Sequence, residues 1–416
     1  MAALQLLKEP EAATIASKQP LGSVPHIVVR AFCETAEVTA AVNGCAADRR
    51  LGRADTTVST GGIIAALALC KAGPSPNLLV LESRANRATL LLQLAELSAV
   101  CDAGTRVILI GAVNDVALYR DLMESGVSDY LVAPVTTNDL TATILRLFHT
   151  AGTAQLGKVC AFIGASGGVG SSTIAQNVAG TIASEFGVAV MLADLDLQFG
   201  SVALNLNLEP TSGFIEQLSD PARLDEALLD RLLVTRGKNL NVLSGSLANE
   251  VSFAEPSLPA LDKLIHLAQA SFPFVILDLR HGWSPWVHRA LTLADEVVLT
   301  VQPDLGNLRN ARMMLNTLAR LRPNDLAAHL VLNQIKVPKR AEIKPAAILK
   351  ALQVPGMTEI AFDTSSFSKA ANSGLLMVES SPKAAACRAF GQLAAKLGGA
   401  RHAVRKPMGM SRLWRR

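Results

Sequence analysis

From His26 onward, short runs of Val, Ile and Leu alternate with longer stretches whose apolar residues recur at helical spacing. Residues 26–32 predict a strand, 60–70 an apolar helix and 77–82 another strand. A helix is expected over 86–100, a strand over 106–110, a helix over 113–125, a strand over 130–132 and a helix over 137–148. This alternation predicts a parallel sheet with helices on both faces. Residues 149–157, small and containing Gly152 and Gly157, read as a linker. A second, larger series begins at Lys158, with strands expected at 159–164, 188–193, 240–243, 274–279, 296–301 and 329–332. Segments 258–270 and 308–321 are among its helices. The expected fold class is therefore α/β: two doubly wound units, at 26–148 and 158–398, that share a layout without a detectable sequence repeat. Residues 1–25 read as a loose leader and 399–416 as a basic tail.

Composition agrees with this layout. Half of the 416 residues are hydrophobic, 18% are charged and 4% are aromatic, so the cores must be built from Ala, Leu, Val and Ile. That content excludes an intrinsically disordered chain. With two Tyr, three Trp and twelve Phe, a stacking platform for single-stranded nucleic acid is not expected. No apolar run reaches bilayer-spanning length. The N-terminal segment carries early acids and no uninterrupted apolar stretch, so it does not read as a secretory signal. Cys33, Cys45, Cys70, Cys101, Cys160 and Cys387 are scattered without metal spacing, which reads as reduced, buried thiols of a cytoplasmic protein.

The sharpest local signal is the stretch from Ile163 to Thr173, directly after a strand and opening a helix. Gly167, Gly168 and Gly170 let backbone N–H groups converge on an anion, and the helix directs its positive end there. Ser172 stands where a phosphate-binding loop places its Mg²⁺-ligating hydroxyl. A side chain at 170 would be expected to enter the phosphate's space. Asp194 and Asp196 follow one strand and Asp278 another, at the carboxyl ends where open α/β sheets bind ligands. Such acids can hold a metal–phosphate complex or orient water. Helix capping accounts comfortably for one of them; three beside a glycine-rich loop favour a nucleotide site.

Residues 158–398 resemble the ParA/MinD family of deviant Walker A P-loop ATPases, through Ser166–Thr173, Ala193–Gln198, Phe274–Asp278 and Val331–Asn333. The resemblance implies ATP and Mg²⁺ as cofactors, bound by a loop of Ser166, Gly167, Gly168, Val169, Gly170, Ser171, Ser172 and Thr173. It further implies that Ser172, Asp194 and Asp278 attend the metal, and that Asp196 positions the attacking water. Asn333 would read the adenine edge, and Pro303, within Val301–Asp304, would lie near the nucleotide. The family has lysines where this chain has Ser166 and Ser171, and Ala165 replaces the first glycine of the strict pattern. Losing both cations removes electrostatic stabilisation that hydrolysis relies on. Nucleotide binding is expected; at most weak ATPase activity accompanies it.

Residues 26–148 resemble a response-regulator receiver, a flavodoxin-like fold. Cys33 and Glu34 follow the first strand, Glu82 stands at the phosphoacceptor position, Gly111 and Ala112 follow the fourth strand, and Ala133 replaces the usual Lys. The phosphorylation switch is thus degenerate, and a docking or dimerisation module is expected. Glu82 reads equally as a solvated loop acid. A degenerate receiver before a degenerate ParA/MinD unit is similar to the architecture of the CpaE/TadZ family of Flp (tight-adherence) pilus assembly proteins, and Ser366–Pro382 resembles that family's late region.

The resemblance implies an ATP-responsive pilus assembly and localisation factor, acting as a homodimer with Flp components including the secretion ATPase. Its rivals are an active partition or division-site ATPase and a phosphorylation-independent signalling regulator. The last sixteen residues carry six Arg or Lys among Met408, Met410, Leu413 and Trp414. They read as a solvated terminus or as a peripheral contact with the inner membrane or cell pole; Pro407 and Gly409 interrupt any helix there, which favours the former. No motif for specific nucleic-acid recognition accompanies them.

Overall fold

The computed structural model describes residues 24, 27–102, 104–148, 156–209, 211, 214, 218, 220–245 and 257–398. Most of the leader, most of the linker and the basic tail expected from the sequence lie outside these residues. Val24, assigned to the loose leader, is instead buried in the first unit's core, and its N–H donates to the Arg50 carbonyl at 3.0 Å.

The first unit runs β1 (Ile27–Cys33), α1 (Ala36–Ala46), β2 (Ala54–Thr60), α2 (Gly62–Ala72), β3 (Leu78–Glu82), α3 (Arg87–Ser98), β4 (Arg106–Gly111), α4 (Val116–Glu124), β5 (Asp129–Val132) and α5 (Thr137–Phe148). All strand pairs are parallel, in the order β2-β1-β3-β4-β5. This is the flavodoxin-like doubly wound order. Strand β3 shows why: Leu78 and Val80 pack into one core with Val42, Leu140 and Ile144. Leu79 and Leu81 enter the opposite core with Leu90, Leu94 and Leu122. An apolar run without alternation is what a strand covered on both faces requires.

Two elements here are not anticipated by the sequence pattern. Strand β2 is an edge strand whose Asp55, Thr57, Ser59 and Thr60 are exposed, and Ala54 and Val58 alone give it only a weak apolar signal. Thr60, expected to open a helix, ends this strand; Gly61 and Gly62, with φ of 112° and 54°, turn the chain into α2. Helix α1 buries Val38, Ala41, Val42 and Cys45, a helical stripe whose pattern is interrupted in sequence by Asn43 and Gly44.

The second unit runs β6 (Lys158–Gly164), α6 (Ser171–Thr181), β7 (Val190–Asp194), α7 (Val202–Asn205), α8 (Glu226–Leu232), β8 (Val234–Arg236), β9 (Leu240–Leu243), α9 (Leu258–Ser271) and β10 (Phe274–Asp278). It continues through α10 (Pro285–Leu293), β11 (Glu296–Val301), α11 (Leu305–Leu321), β12 (His329–Ile335), α12 (Pro345–Leu352), β13 (Met357–Ala361), α13 (Thr364–Asn372), α14 (Met377–Ser380) and α15 (Ala385–Gly398). The sheet order is β13-β12-β11-β6-β10-β7-β9-β8, parallel except for the β8–β9 pair. Val275 and Leu277 of β10 face one core, Phe274 and Ile276 the other. The two edge strands, β8 and β13, add to those expected from the sequence.

A short turn at Arg49–Leu51 joins the units. Arg49 pairs with Asp325 and Asp295, and Asn324 Nδ2 donates to Asp48 Oδ2 at 3.1 Å. All six cysteines are free thiols; Cys101 and Cys387 are half-buried rather than fully buried as expected. Among the described residues no helix is long and apolar enough to cross a membrane.

Candidate nucleotide site

Four parallel strands end around one loop. Strand β6 delivers Gly164, and residues 165–170 bend into α6 through Gly168 (φ 74°) and Gly170 (φ 89°). Both glycines occupy left-handed backbone, where a Cβ is strained. A Cβ at Gly168 would meet nothing within 4 Å, so the loop keeps an open face there. At Gly170 it would lie 2.6 Å from Asn333 Nδ2. The expectation that a side chain at 170 would fill the phosphate's space therefore has a nearer physical cause: it would strike Asn333. That amide, at the end of β12, donates to the Val169 carbonyl at 2.8 Å and clamps the loop.

Residue 166 is tied to the start of α11. Ser166 Oγ lies 3.3 Å from Asn307 Oδ1, and Asn310 Nδ2 donates to the Ala165 carbonyl at 2.9 Å. Ser171 is buried, and its hydroxyl has no hydrogen-bond partner. The Gly164 carbonyl faces His281 Nδ1 at 3.0 Å. No charged side chain lies between Gly164 and Thr173, so backbone dipoles and the α6 N-terminus supply the loop's positive potential.

The carboxylates sit beside it. Asp278 and Asp194 are register partners on β10 and β7. Burial pushes the Asp278 carboxyl well above its ordinary value, the Asp194 charge adds to this, and the Ser172 hydroxyl opposes it. Burial likewise raises Asp194 to about 6, against the Val202 and Asp196 backbone N–H groups that it accepts at 3.1 and 3.2 Å. Two like charges in adjacent buried positions resist ionising together. One oxygen of Asp278 has no hydrogen-bond partner. Asp196 is half-buried and accepts the Phe199 N–H at 3.1 Å. Gly200 closes the cluster: a Cβ there would lie 2.4 Å from Asp194 Oδ2.

Among the described residues no group of three His, Cys, Asp or Glu is assembled to hold a metal by itself. Mg²⁺ typically takes one or two carboxylates, several waters and substrate phosphates. Two acids, one of them with an unpartnered oxygen, and the Ser172 hydroxyl fit that donor set.

Beside the loop lies a cavity of about 290 Å³, lined by Gly170, Gln176, Asn333, Phe362, Phe367 and Leu375 among others. Thr173 also lines it, placing the first turn of α6 between cavity and loop. Pro303 is buried, and among the described residues no hydrogen bond ties it to the loop; its carbonyl accepts Ile343 N–H at 2.9 Å, while Asp304 caps α11 by accepting from Asn307 N–H. Gln176, Asn307, Asn310 and Gly200 do not stand out in the sequence. Asn307 and Asn310, three residues apart beside the buried Ala311, were the available signal.

In the first unit, Glu82 is not a solvated loop acid. It is buried; Oε2 accepts the backbone N–H groups of Glu34 and Thr35 at 2.6 and 2.8 Å, and Oε1 accepts the Thr35 hydroxyl at 2.8 Å. The carboxylate thus caps the start of α1.

A family model described as an AAA domain matches residues 157–331. The chain is 28% identical over 170 residues to the sporulation initiation inhibitor protein Soj of Bacillus subtilis, a match covering 39% of this chain and 65% of Soj. It thus spans just under two thirds of that relative's length. The septum site-determining protein MinD of Pyrococcus horikoshii, solved with Mg-ADP, aligns at 21% identity over 59% of this chain and 98% of its own, with a TM-score of 0.51. That likeness concerns the fold. The pilus assembly protein CpaE of Caulobacter crescentus is 39% identical, covering 30% of this chain and 97% of that one, with a TM-score of 0.30. Fold and loop together define a P-loop NTPase unit of the ParA/MinD type. With this sequence identity across nearly the whole of the solved CpaE chain, the protein belongs to the CpaE/TadZ family.

Proposed function

We propose that this chain binds Mg-ATP with little or no turnover and serves as a pilus assembly and localisation scaffold of the Flp type. The observation that carries the nucleotide reading is the juxtaposition of the Gly167–Gly170 loop with the Asp194–Asp278 register pair. Backbone N–H groups of the loop and the α6 N-terminus would receive the phosphates. Ser172, Asp194 and Asp278 would hold Mg²⁺, which neutralises phosphate charge when bound. Asp196, half-buried at the mouth, would orient water, and Asn333 would fix the loop while bordering the nucleoside cavity. With serines at 166 and 171, charge developing during phosphoryl transfer meets no lysine from the loop, which supports binding over hydrolysis.

The pilus role carries over to this chain from the Caulobacter relative, a pilus assembly protein. In this reading residues 26–148 form a docking module and 158–398 the nucleotide unit, the protein is a homodimer, and its partners are Flp components including the secretion ATPase. Calorimetric titration with ATP and ADP, with and without Mg²⁺, followed by a steady-state hydrolysis assay on the same preparation, tests the site. Absence of binding at millimolar Mg-ATP by folded protein would sink it. Co-purification with the secretion ATPase from the same gene cluster tests the role; no association with or without Mg-ATP counts against it.

A further inference from the structure

Gln176 lies one turn into α6, three residues after Thr173 and on the same helical face, where both line the cavity beside the loop. It is buried, and its Oε1 has no hydrogen-bond partner. Its neighbours are otherwise engaged. Asn177 donates to the Thr173 carbonyl at 2.8 Å and accepts the Met377 N–H at 2.7 Å. Asn333 holds the Val169 carbonyl. Across the cavity stand Phe362, Phe367, Ala371 and Leu375, which can enclose a flat apolar ring, in a lining that also holds the polar side chains of Gln334, Asp363, Thr364 and Ser368.

A buried amide acceptor without a partner lowers stability unless something satisfies it. Leucine or methionine would fill the same helical position without that penalty. Because the Gln176 acceptor is held by no internal bond, turning the amide about its last torsion breaks none.

We infer that Gln176 is a nucleoside-recognition residue, whose amide takes a hydrogen bond from a donor of the ligand seated in this cavity. The inference rests on the nucleotide reading above and adds to it a specific selecting group. A nucleoside offers such a donor from two sources, the ribose hydroxyls or the 6-amino group of adenine. An internal hydrogen bond of this kind is worth about tenfold in affinity.

The test titrates the full chain with Mg-ATP, Mg-2′-deoxy-ATP and the Mg complex of purine riboside triphosphate, which lacks the 6-amino group. Wild-type protein, Gln176→Leu and Gln176→Met are compared. The expected result is that the wild type binds one analogue about tenfold more weakly than ATP. A deficit for the deoxy compound identifies the ribose as donor, and a deficit for the purine riboside identifies the base. Both variants should bind ATP about tenfold more weakly and bind all three ligands alike. Without nucleotide, at least one variant should melt at or above the wild-type temperature, because the unpartnered acceptor is gone. Wild-type protein that binds ATP while the variants keep its affinity and discrimination overturns the role of Gln176 alone. Both variants melting below wild type without nucleotide does the same, since the amide would then be structural. Folded wild-type protein that binds none of the three overturns the nucleotide reading itself.

Discussion

The Arg49 guanidinium lies 3.5 Å from the Asp295 carboxylate, with both side chains buried where the two units meet. Asp295 immediately precedes β11 and also accepts the Val159 N–H at 2.9 Å, at the start of β6. The first unit is therefore docked at the amino ends of the second sheet, opposite the glycine-rich loop at its carboxyl ends. Helix α11 spans between them. Asn307 and Asn310 meet the loop near its start, and Arg322 and Asp325, just beyond its end, meet Arg49 and Asp295. Seventeen residues of helix cover about 25 Å.

Burial raises the Asp295 carboxyl, and the Arg49 charge opposes that rise. Removing the guanidinium leaves a buried acid poorly compensated. Arg49→Met should lower the stability of the full chain by about 3 kcal/mol. Adding Asp295→Asn to it should recover part of the loss, because the unpaired charge disappears. Denaturant unfolding of the single and double variants measures both; a loss below about 0.5 kcal/mol would show that the pair is exposed to water in solution.

How far the sequence discloses this arrangement depends on what each residue must satisfy. Strands β3 and β10 are legible because both faces are covered, leaving an unbroken apolar run. Edge strand β2 is illegible for the converse reason: Asp55, Thr57, Ser59 and Thr60 face water, and only pairing with β1 makes it a strand. The glycine-rich loop is legible because positive φ demands glycine. Gln176 is not, because an amide on an amphipathic helix reads as part of a wet face until a cavity is seen against it. Glu82 is recognisable as the residue ending β3, but its three donors come from the start of α1, a helix that its own sequence conceals.

That capping role gives a second prediction. Glu82→Ala takes away the acceptor that the N–H groups of Glu34 and Thr35 share, and should destabilise the chain by about 1–2 kcal/mol. Since all the carboxylate's observed bonds serve the α1 terminus, incubating wild-type protein with a small phosphodonor should leave its intact mass unchanged. A phosphoryl adduct that disappears in Glu82→Gln would contradict the assignment.

Acid should weaken the fold through two other carboxylates. Burial would raise Asp48, but Arg50 and Asn324 outweigh it and hold the group below its ordinary 3.8. Burial would raise Glu296, but His329 and Lys158 outweigh it and hold that group below 4.5. Depressed acids contribute stability that is fully present above their ordinary values and lost as pH falls through the depressed ones. Asp295, whose value is raised, acts with the opposite sign. Melting temperatures measured from pH 6 down to about 3 should fall, and Asp48→Asn with Glu296→Gln should flatten the fall below about pH 4.5. An unchanged slope in the double variant would assign the acid limb to other groups.

Gly170→Ala should be costly twice over. The φ of 89° strains any Cβ, and that Cβ would sit 2.6 Å from Asn333 Nδ2. A stability loss of about 1–3 kcal/mol is expected, together with weakened Mg-ATP binding as the clamp on Val169 shifts. Gly168→Ala has comparable strain and no such collision, so its stability loss should be smaller. Equal losses at the two positions would remove Asn333 from the explanation.

The last prediction concerns the missing cations. Ser171 opens α6 with a buried, unpartnered hydroxyl, whereas Ser166 is held by the amides of α11. A lysine at 171 would displace no existing side-chain hydrogen bond. One at 166 would break a contact and disturb the start of α11. Restoring positive charge should therefore succeed better at 171. Removing a single preorganised group that stabilises transition-state charge typically costs about 10²–10³ in rate, so Ser171→Lys should raise steady-state ATP hydrolysis by at least about tenfold. Ser166→Lys should raise it less and should lower the melting temperature. If Asp196 orients the attacking water, Asp196→Ala should abolish the gain made by Ser171→Lys, yet change the basal rate of the wild type little. A wild-type rate already brisk and lost on Asp196→Ala would mean that a side chain outside the loop supplies the positive charge. His281, 3.0 Å from the Gly164 carbonyl, would then be the first position to replace.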